Sequence, residues 1–328
     1  MVFTQIHQGG HVLRLLIAVG TLVFGLGSFQ SLRAAVDWSN HESCKECHAD
    51  IYKEWETTRH AQAWKSPQFA AQSQNKTKAD CLPCHAPKPV FETGIGKECI
   101  LREDNRDAGV TCLSCHRQNK TSLGPYKDSK AECNPAYTNA FEDNSTCQMC
   151  HKNTSEEWKQ SSFSHKGSKN FSTCAKCHMK PVKRSAAKGG AVREVYQHIT
   201  YGSDNQKALQ EAVRDMTVVA ENGKVHISLT NDLCGHTLPS GSPLGRQLLI
   251  MTAVKDENDK TIDMHREVFE KGDNKEKKDT SIPVDKKVDL SYDLKIGSGE
   301  VVVKVLYKPL STQKDKDATE VTEKRVNF

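Results

Sequence analysis

The chain is poor in the material of a large hydrophobic core. Only 36% of its 328 residues are apolar and 6% aromatic, and the mean hydropathy is −0.64. That is lean for a length that would ordinarily fill two domains. After residue 29 there is no second long hydrophobic run, so one N-terminal apolar stretch is all that could meet a membrane. Charge of one sign is also lacking: 46 basic residues stand against 41 acidic ones. Stretches such as 255–260 and 271–279 mix both signs and read as solvated loops. The sequence pI of 8.5 therefore does not argue for nucleic-acid binding.

What is abundant is cysteine. Thirteen cysteines are too many for a cytosolic protein unless they bind something. Ten fall in five Cys-x-x-Cys-His motifs: Cys44/Cys47/His48, Cys81/Cys84/His85, Cys112/Cys115/His116, Cys147/Cys150/His151 and Cys174/Cys177/His178. Random placement at this composition predicts roughly 0.02 such pentapeptides. Two thiols three apart add to the vinyl groups of one haem, and the adjacent histidine becomes the proximal ligand. A zinc site does not need histidine at the same offset five times, and a redox dithiol would occur once. The motifs thus predict five covalently bound haem c groups, whose planes supply apolar surface that the side chains lack. Each adds about −1 when ferric, which turns the formal +5 to about −2 once Arg14 and Arg33 leave with a leader.

That leader is Arg14 followed by the apolar run 15–29 and the small residues Ala34 and Ala35, short for a span of roughly 20 residues. Residues 1–35 read as a signal peptide, with an N-terminal anchor as the alternative. The remainder is expected in the periplasm or outside the cell.

The motifs begin 37, 31, 35 and 27 residues apart, a density that forces the porphyrins close together and suits electron transfer. An internal repeat runs through CKECHADIYKEWETTRH and CQMCHKNTSEEWKQSSFSH. It places Trp55 and Trp158 seven residues after the haem histidine, with His60 and His165 beyond. The tryptophans are expected to pack against porphyrin. Candidate distal ligands are His41, His60, His165, His198 and His236. His226 lies on the polar face of an alternating strand and His265 in a similar setting, so neither is counted. An iron without a distal ligand would be open to small molecules. Outside the motifs, Cys99 and Cys133 could pair in an oxidising compartment, leaving Cys234 odd.

After His178 the pattern changes. A capping box at 203–206 opens a connecting helix, 204–215. Strands are expected at 216–220 and 224–230 around an Asn222-Gly223 turn, then at 247–255, 261–270, 287–294 and 300–308. The fold class expected is a mainly α, loop-rich multihaem domain (36–203) followed by a small β-sandwich (216–310) and a polar tail (311–328).

CKECHADIYKEWETTRHAQAW, CLPCHAP, GVTCLSCH, CAKCHMK, QHITYG and GHTLPSGSPLGR resemble the multihaem cytochrome family typified by the tetrahaem electron acceptor of hydroxylamine oxidoreductase. The likeness runs from residue 41 to about 310. It implies mostly bis-histidine haems in stacked pairs, supports His60, His198 and His236 as distal ligands, and makes electron transfer the default role. The fifth haem and the β-sandwich depart from the tetrahaem type. No CxxCK motif is present, so the lysine-ligated haem of pentahaem nitrite reductases has no counterpart. The expected partners are a redox donor and acceptor, such as a quinol dehydrogenase or a hydroxylamine-oxidising enzyme. Two alternatives are a small reductase of nitric oxide, nitrite or hydroxylamine, and a self-associating cytochrome filament subunit.

Overall fold

The computed structural model describes residues 36–328, except 128–130, 132, 242–244 and 273–275. The signal-peptide expectation for 1–35 lies outside the described residues. None of the described helices is long and apolar enough to cross a membrane.

Between Val36 and Tyr201 the chain is stitched from short pieces. The longest helices here, Ala49–Glu56 and Lys152–Lys159, have eight residues each, and several CxxCH motifs form single-turn helices such as Cys112–His116 and Cys174–His178. The expectation of a mainly α domain is therefore corrected. Helices this short do not persist on propensity alone, and the apolar faces that would pack long ones are absent from the sequence. Caps stabilise the pieces. Thr173 accepts from the Lys176 N–H, and the Ser114 hydroxyl accepts from the Thr111 N–H at 3.0 Å. Three short strands, β1 (Arg117–Gln118), β2 (Thr121–Gly124) and β3 (Pro135–Tyr137), form one small sheet. A hairpin of β4 (Pro181–Ser185) and β5 (Val192–Tyr196) forms another.

A connecting helix follows at Gln206–Ala212. Its cap is Asn205, whose side chain accepts from the Ala208 N–H, two residues later than the sequence reading placed it. Beyond it lie two antiparallel sheets. β6 (Thr217–Glu221) and β7 (Lys224–Thr230) join through Asn222 and Gly223, both at positive φ as a tight type I′ hairpin requires, and β10 (Lys287–Asp293) adds to β7. The second sheet has the order β12-β11-β8-β9, with β8 at Gln247–Lys255, β9 at Thr261–Glu270 and β11 at Glu300–Lys308. Val225, Ile227 and Leu229 of β7 meet Leu248 and Ile250 of β8 and Val301, Val303 and Val305 of β11 in the main core. Val213 and Met216 close its end.

β12 (Thr319–Asn327) occupies half of the segment read as a polar tail. It pairs with β11 along its length and buries Val321. The sequence hid it because an edge strand shows its charges: Lys304 pairs with Glu320 and Glu323, and Arg325 with Glu300. His226 is exposed on β7, while His265 stacks on Tyr292 at 3.8 Å.

Leu229 is fully buried. Leu229→Ala should lower unfolding stability by about 2–5 kcal/mol, measured by denaturant titration.

Candidate haem-ligand site

Four of the five CxxCH histidines are oriented by backbone carbonyls. His48 Nδ1 lies 2.7 Å from the Ala186 carbonyl, His85 Nδ1 2.8 Å from that of Ala63, and His116 Nδ1 2.7 Å from that of Leu123. His178 Nδ1 contacts the Tyr201 carbonyl. A ring donating from Nδ1 to a carbonyl presents Nε2 as a lone pair, the form a metal binds.

Opposite three proximal rings stand three other histidines, each at the same separation. His60 and His151 have ring centres 6.1 Å apart, as do His116 and His198, and His178 and His236. A metal–nitrogen bond of about 2.0 Å on each side, plus about 1 Å from nitrogen to ring centre, gives roughly 6 Å across one metal. The side chains therefore fit an iron held between two imidazoles. Two of the facing rings are fixed in the same way as the proximal ones: His198 Nδ1 lies 3.1 Å from the Tyr196 carbonyl and His236 Nδ1 3.0 Å from that of Thr237. Desolvation pushes His151 and His198 down to about 4, and lowers His60, His116 and His236 in the same direction. These rings stay neutral at neutral pH, as ligands must.

The other two candidates are placed elsewhere. His41 packs against Tyr52 and Trp55, with ring centres 6.1 and 5.1 Å away, and His165 is exposed. Among the described residues no histidine ring is paired in this way with His48 or His85. The ring stacked on His85 at 3.7 Å is that of Phe69, part of a small cluster with Trp64 and Ala86.

Local structure explains how His60 and His236 reach their places. Val110 N–H donates to the His60 carbonyl at 2.9 Å, and Gly109, at φ +65°, lies so close that a Cβ would collide with that same carbonyl. Before His236, Gly235 lets Trp158 and Phe163 approach to 3.1 and 3.2 Å of where a Cβ would stand.

The thiols form contacts between motifs. Cys44 neighbours Cys112, Cys147 neighbours Cys174, and Cys84, Cys99 and Cys150 lie within 4.8 Å of one another. Cys99 Sγ is 3.5 Å from Cys150 Sγ, and none of the thirteen cysteines is joined to another by a disulfide. The expected pairing of Cys99 with Cys133 is thus corrected, because Cys99 is held against motifs 2 and 4. Three thiolates alone would leave a structural zinc short of its four ligands, whereas Cys84 and Cys150 each belong to a complete CxxCH.

The ten motif cysteines differ in exposure. Eight are half-buried, but Cys47 of motif 1 and Cys177 of motif 5 are exposed. In motifs 1 and 5 the first cysteines, Cys44 and Cys174, lie beside Cys112 and Cys147. Cys177 Sγ has only the Ser172 hydroxyl, at 3.2 Å, and Cys47 is tied through its backbone, its carbonyl accepting from the Lys188 N–H at 2.7 Å. Both keep the three-residue offset that thioether attachment needs, with the second thiol of each of these two motifs at the solvent-facing edge.

The sequence reading missed the partners of the repeat tryptophans. Trp55 Nε1 donates to the Val110 carbonyl at 2.8 Å and Trp158 Nε1 to that of Ser172 at 3.1 Å. The repeat itself was the available signal, but the carbonyls lie too far along the chain for spacing to reveal.

Residues 43–117 match the family model described as cytochrome c554 and c-prime. The fold is similar to that of a penta-heme cytochrome c552 from Thermochromatium tepidum, with a TM-score of 0.65 and 16% identity over 87% of this chain and 97% of that one. A superoxide reductase from Nanoarchaeum equitans aligns with 36% of this chain and 94% of its own at 14% identity, but its TM-score of 0.23 is too low to bear on the fold. No curated protein sequence matches the chain. The family match over the first three motifs and the shared fold support a multihaem c-type cytochrome with a role in electron transfer.

Gly109→Ala must either move the His60 segment or strain the backbone. It should destabilise the fold by about 1–3 kcal/mol in thermal or denaturant unfolding.

Proposed function

We propose that this protein is an exported pentahaem cytochrome that carries single electrons between redox proteins through a branched chain of closely packed haems. The observation that carries the reading is the set of three histidine pairs at one common separation, each joining a CxxCH histidine to a histidine far along the chain. Haem bound at the five motifs supplies a one-electron iron couple whose potential is set by its ligands and surroundings. His48, His85, His116, His151 and His178 hold the proximal positions, with the ten motif cysteines as attachment points, Cys47 and Cys177 at the exposed edges. His60, His198 and His236 hold the distal positions of motifs 4, 3 and 5. Paired imidazoles leave no open coordination position, so the side chains favour outer-sphere electron exchange over substrate chemistry at those three sites.

The thiol contacts suggest the order of the chain. Motif 1 touches motif 3 through Cys44 and Cys112, and motif 4 touches motif 5 through Cys147 and Cys174. Cys115 of motif 3 interacts electrostatically with Cys147 of motif 4, while Cys84 sets motif 2 beside motif 4. The order is then 1–3–4–5, with motif 2 as a side branch. Exposed thiols at Cys47 and Cys177 fall on the two end motifs of that series, where electrons would enter and leave. In domain terms, 36–203 carries the haems, and the β-sandwich from 216 onward supplies His236. A quinol dehydrogenase or a hydroxylamine-oxidising enzyme fits as donor, and the leader at 1–35 fits export.

A second reading has one specific support. His85, on the branch, faces Phe69 where the three paired motifs have a second histidine. An iron there would have a free side, suited to nitric oxide, nitrite or hydroxylamine.

Electron paramagnetic resonance of the oxidised protein, scaled to total haem by pyridine haemochrome, tests both readings. Five haems per chain are expected. His60→Ala, His198→Ala and His236→Ala should each turn one low-spin haem high-spin, while His165→Ala should change none. Fewer than five haems, or no spin change in the first three variants, would refute the ligand scheme. A full equivalent of high-spin haem in the unmutated protein, able to bind nitric oxide, would move the assignment to the reductase.

A further inference from the structure

The two copies of the internal repeat make the same pair of contacts, and both converge on one haem position each. The helix Ala49–Glu56 follows motif 1 and Lys152–Lys159 follows motif 4, with the haem histidine at the N-cap in both. In both, the sequence Glu-Trp occupies the same place: Glu54-Trp55 and Glu157-Trp158. Trp55 bonds a carbonyl two residues before Cys112, and Trp158 bonds one two residues before Cys174. The indoles thus hold the entries to motifs 3 and 5.

The glutamates reach the opposite side of those motifs. Glu54 Oε2 accepts from the backbone N–H of His198 at 2.8 Å, and His198 faces His116. Glu157 Oε2 accepts from the N–H and hydroxyl of Thr237 at 3.1 and 2.8 Å, and Thr237 follows His236, which faces His178. Each carboxylate is largely buried, with side chains 12% and 13% exposed, and each has its own cation. Arg184 of β4 grips Glu54 with two bonds of 2.7 and 2.6 Å. Lys271, beyond the end of β9, lies 2.8 Å from Glu157 and 2.8 Å from Asp279.

We propose that Glu54 and Glu157 are equivalent positioning residues. Each fixes the distal histidine segment of one haem, that of motif 3 and that of motif 5 respectively, and sets a buried negative charge beside that haem alone. The proposal rests on the reading of His198 and His236 as distal ligands. Tryptophan and glutamate together make each repeat a clamp: the indole holds the proximal motif and the carboxylate holds the opposing histidine. A fixed negative charge favours the ferric over the ferrous state, and its cation opposes that effect. The motif 3 clamp is closed by a cation from the haem segment itself, the motif 5 clamp by one from the β-sandwich. Potential at motif 5 therefore depends on the sandwich remaining docked.

The test is potentiometry of the individual haems, assigned by paramagnetic resonance, in the full haem-loaded protein. Glu54→Gln keeps an acceptor for the His198 N–H and removes the charge. It should raise one haem's reduced-to-oxidised ratio by about tenfold at fixed potential, about 59 mV for one electron. Arg184→Gln should move the same haem the other way. Glu157→Gln and Lys271→Gln should do likewise to a second haem, with the other three unmoved. Glu54→Ala, which removes the acceptor as well, should add a high-spin fraction at the first haem only. Equal shifts across all haems, both glutamates acting on one haem, or loss of stability without any selective shift would overturn the proposal and leave these as ordinary ion pairs. Should a glutamate variant fail to accumulate, the Arg184 and Lys271 variants decide by the same criterion. Failure of the ligand reading is separately visible, since His198→Ala and His236→Ala would then leave the spin states unchanged.

Discussion

Three pairs of histidines from distant segments face each other across 6.1 Å, and the short pieces between Val36 and Tyr201 supply five of the six rings. A CxxCH turn delivers only one imidazole; the second must come from somewhere else in the fold. That requirement explains why His60, His198 and His236 sit at bends and loops, where backbone can be bent to reach. Glycine makes the reach feasible at two of them. Gly109 allows the chain before motif 3 to press on the His60 carbonyl, and Gly235 lets Trp158 and Phe163 close over the loop before His236. Burial then settles the charge, holding the rings neutral by desolvation.

The same requirement accounts for the thin secondary structure. A segment whose cross-links are metal–ligand and thioether bonds does not need long amphipathic helices to bury apolar faces against one another. Its helices stop after one or two turns, and its recognisable side-chain packing is confined to small groups such as Trp64, Phe69 and Ala86. The β-sandwich is the reverse case. Its core is an ordinary alternation of Val, Ile and Leu, and it stabilises itself without any prosthetic group. By contributing His236 and Lys271, it lends a rigid scaffold to the end of a chain that has little rigidity of its own.

Legibility in the sequence divides along the same line. The CxxCH motifs are local and stand out by spacing. So do the Asn222-Gly223 hairpin and the alternating strands, whose positions agree with the observed ones to within a residue or so. β12 escaped because its outward charges mask a single buried valine, Val321. Spacing identifies the ten motif cysteines as attachment points, but not that Cys47 and Cys177 face solvent. Among the histidines, sequence offered five candidates of similar appearance. His60 and His165 follow their motifs at nearly the same distance, yet only His60 meets a proximal ring. Spacing does not separate them, and only the family resemblance favours His60; the physical difference lies in which distant segment folds against each. The repeat's glutamates were invisible for the same reason, since a surface-like Glu on a polar helix looks solvated until its partner across the fold is known.

That partition bears on how the chain of haems can work. A linear wire would need only neighbouring contacts, but motif 4 touches three others: motif 5 and motif 2 through its thiols, and motif 3 through Cys115. In the proposed scheme an electron on motif 4 has alternative destinations, and relative potential decides among them. The protein can set potentials only through ligands, burial and fixed charge. In that scheme the ligands are identical histidine pairs at motifs 3, 4 and 5, which leaves surroundings and fixed charge as the variables that can differ between them. Buried carboxylates stand behind motifs 3 and 5, the two neighbours that flank motif 4 in the series, each with a cation of different origin. In that scheme the repeat does more than copy a haem-binding turn: it places the same electrostatic control at two of the junction's three exits.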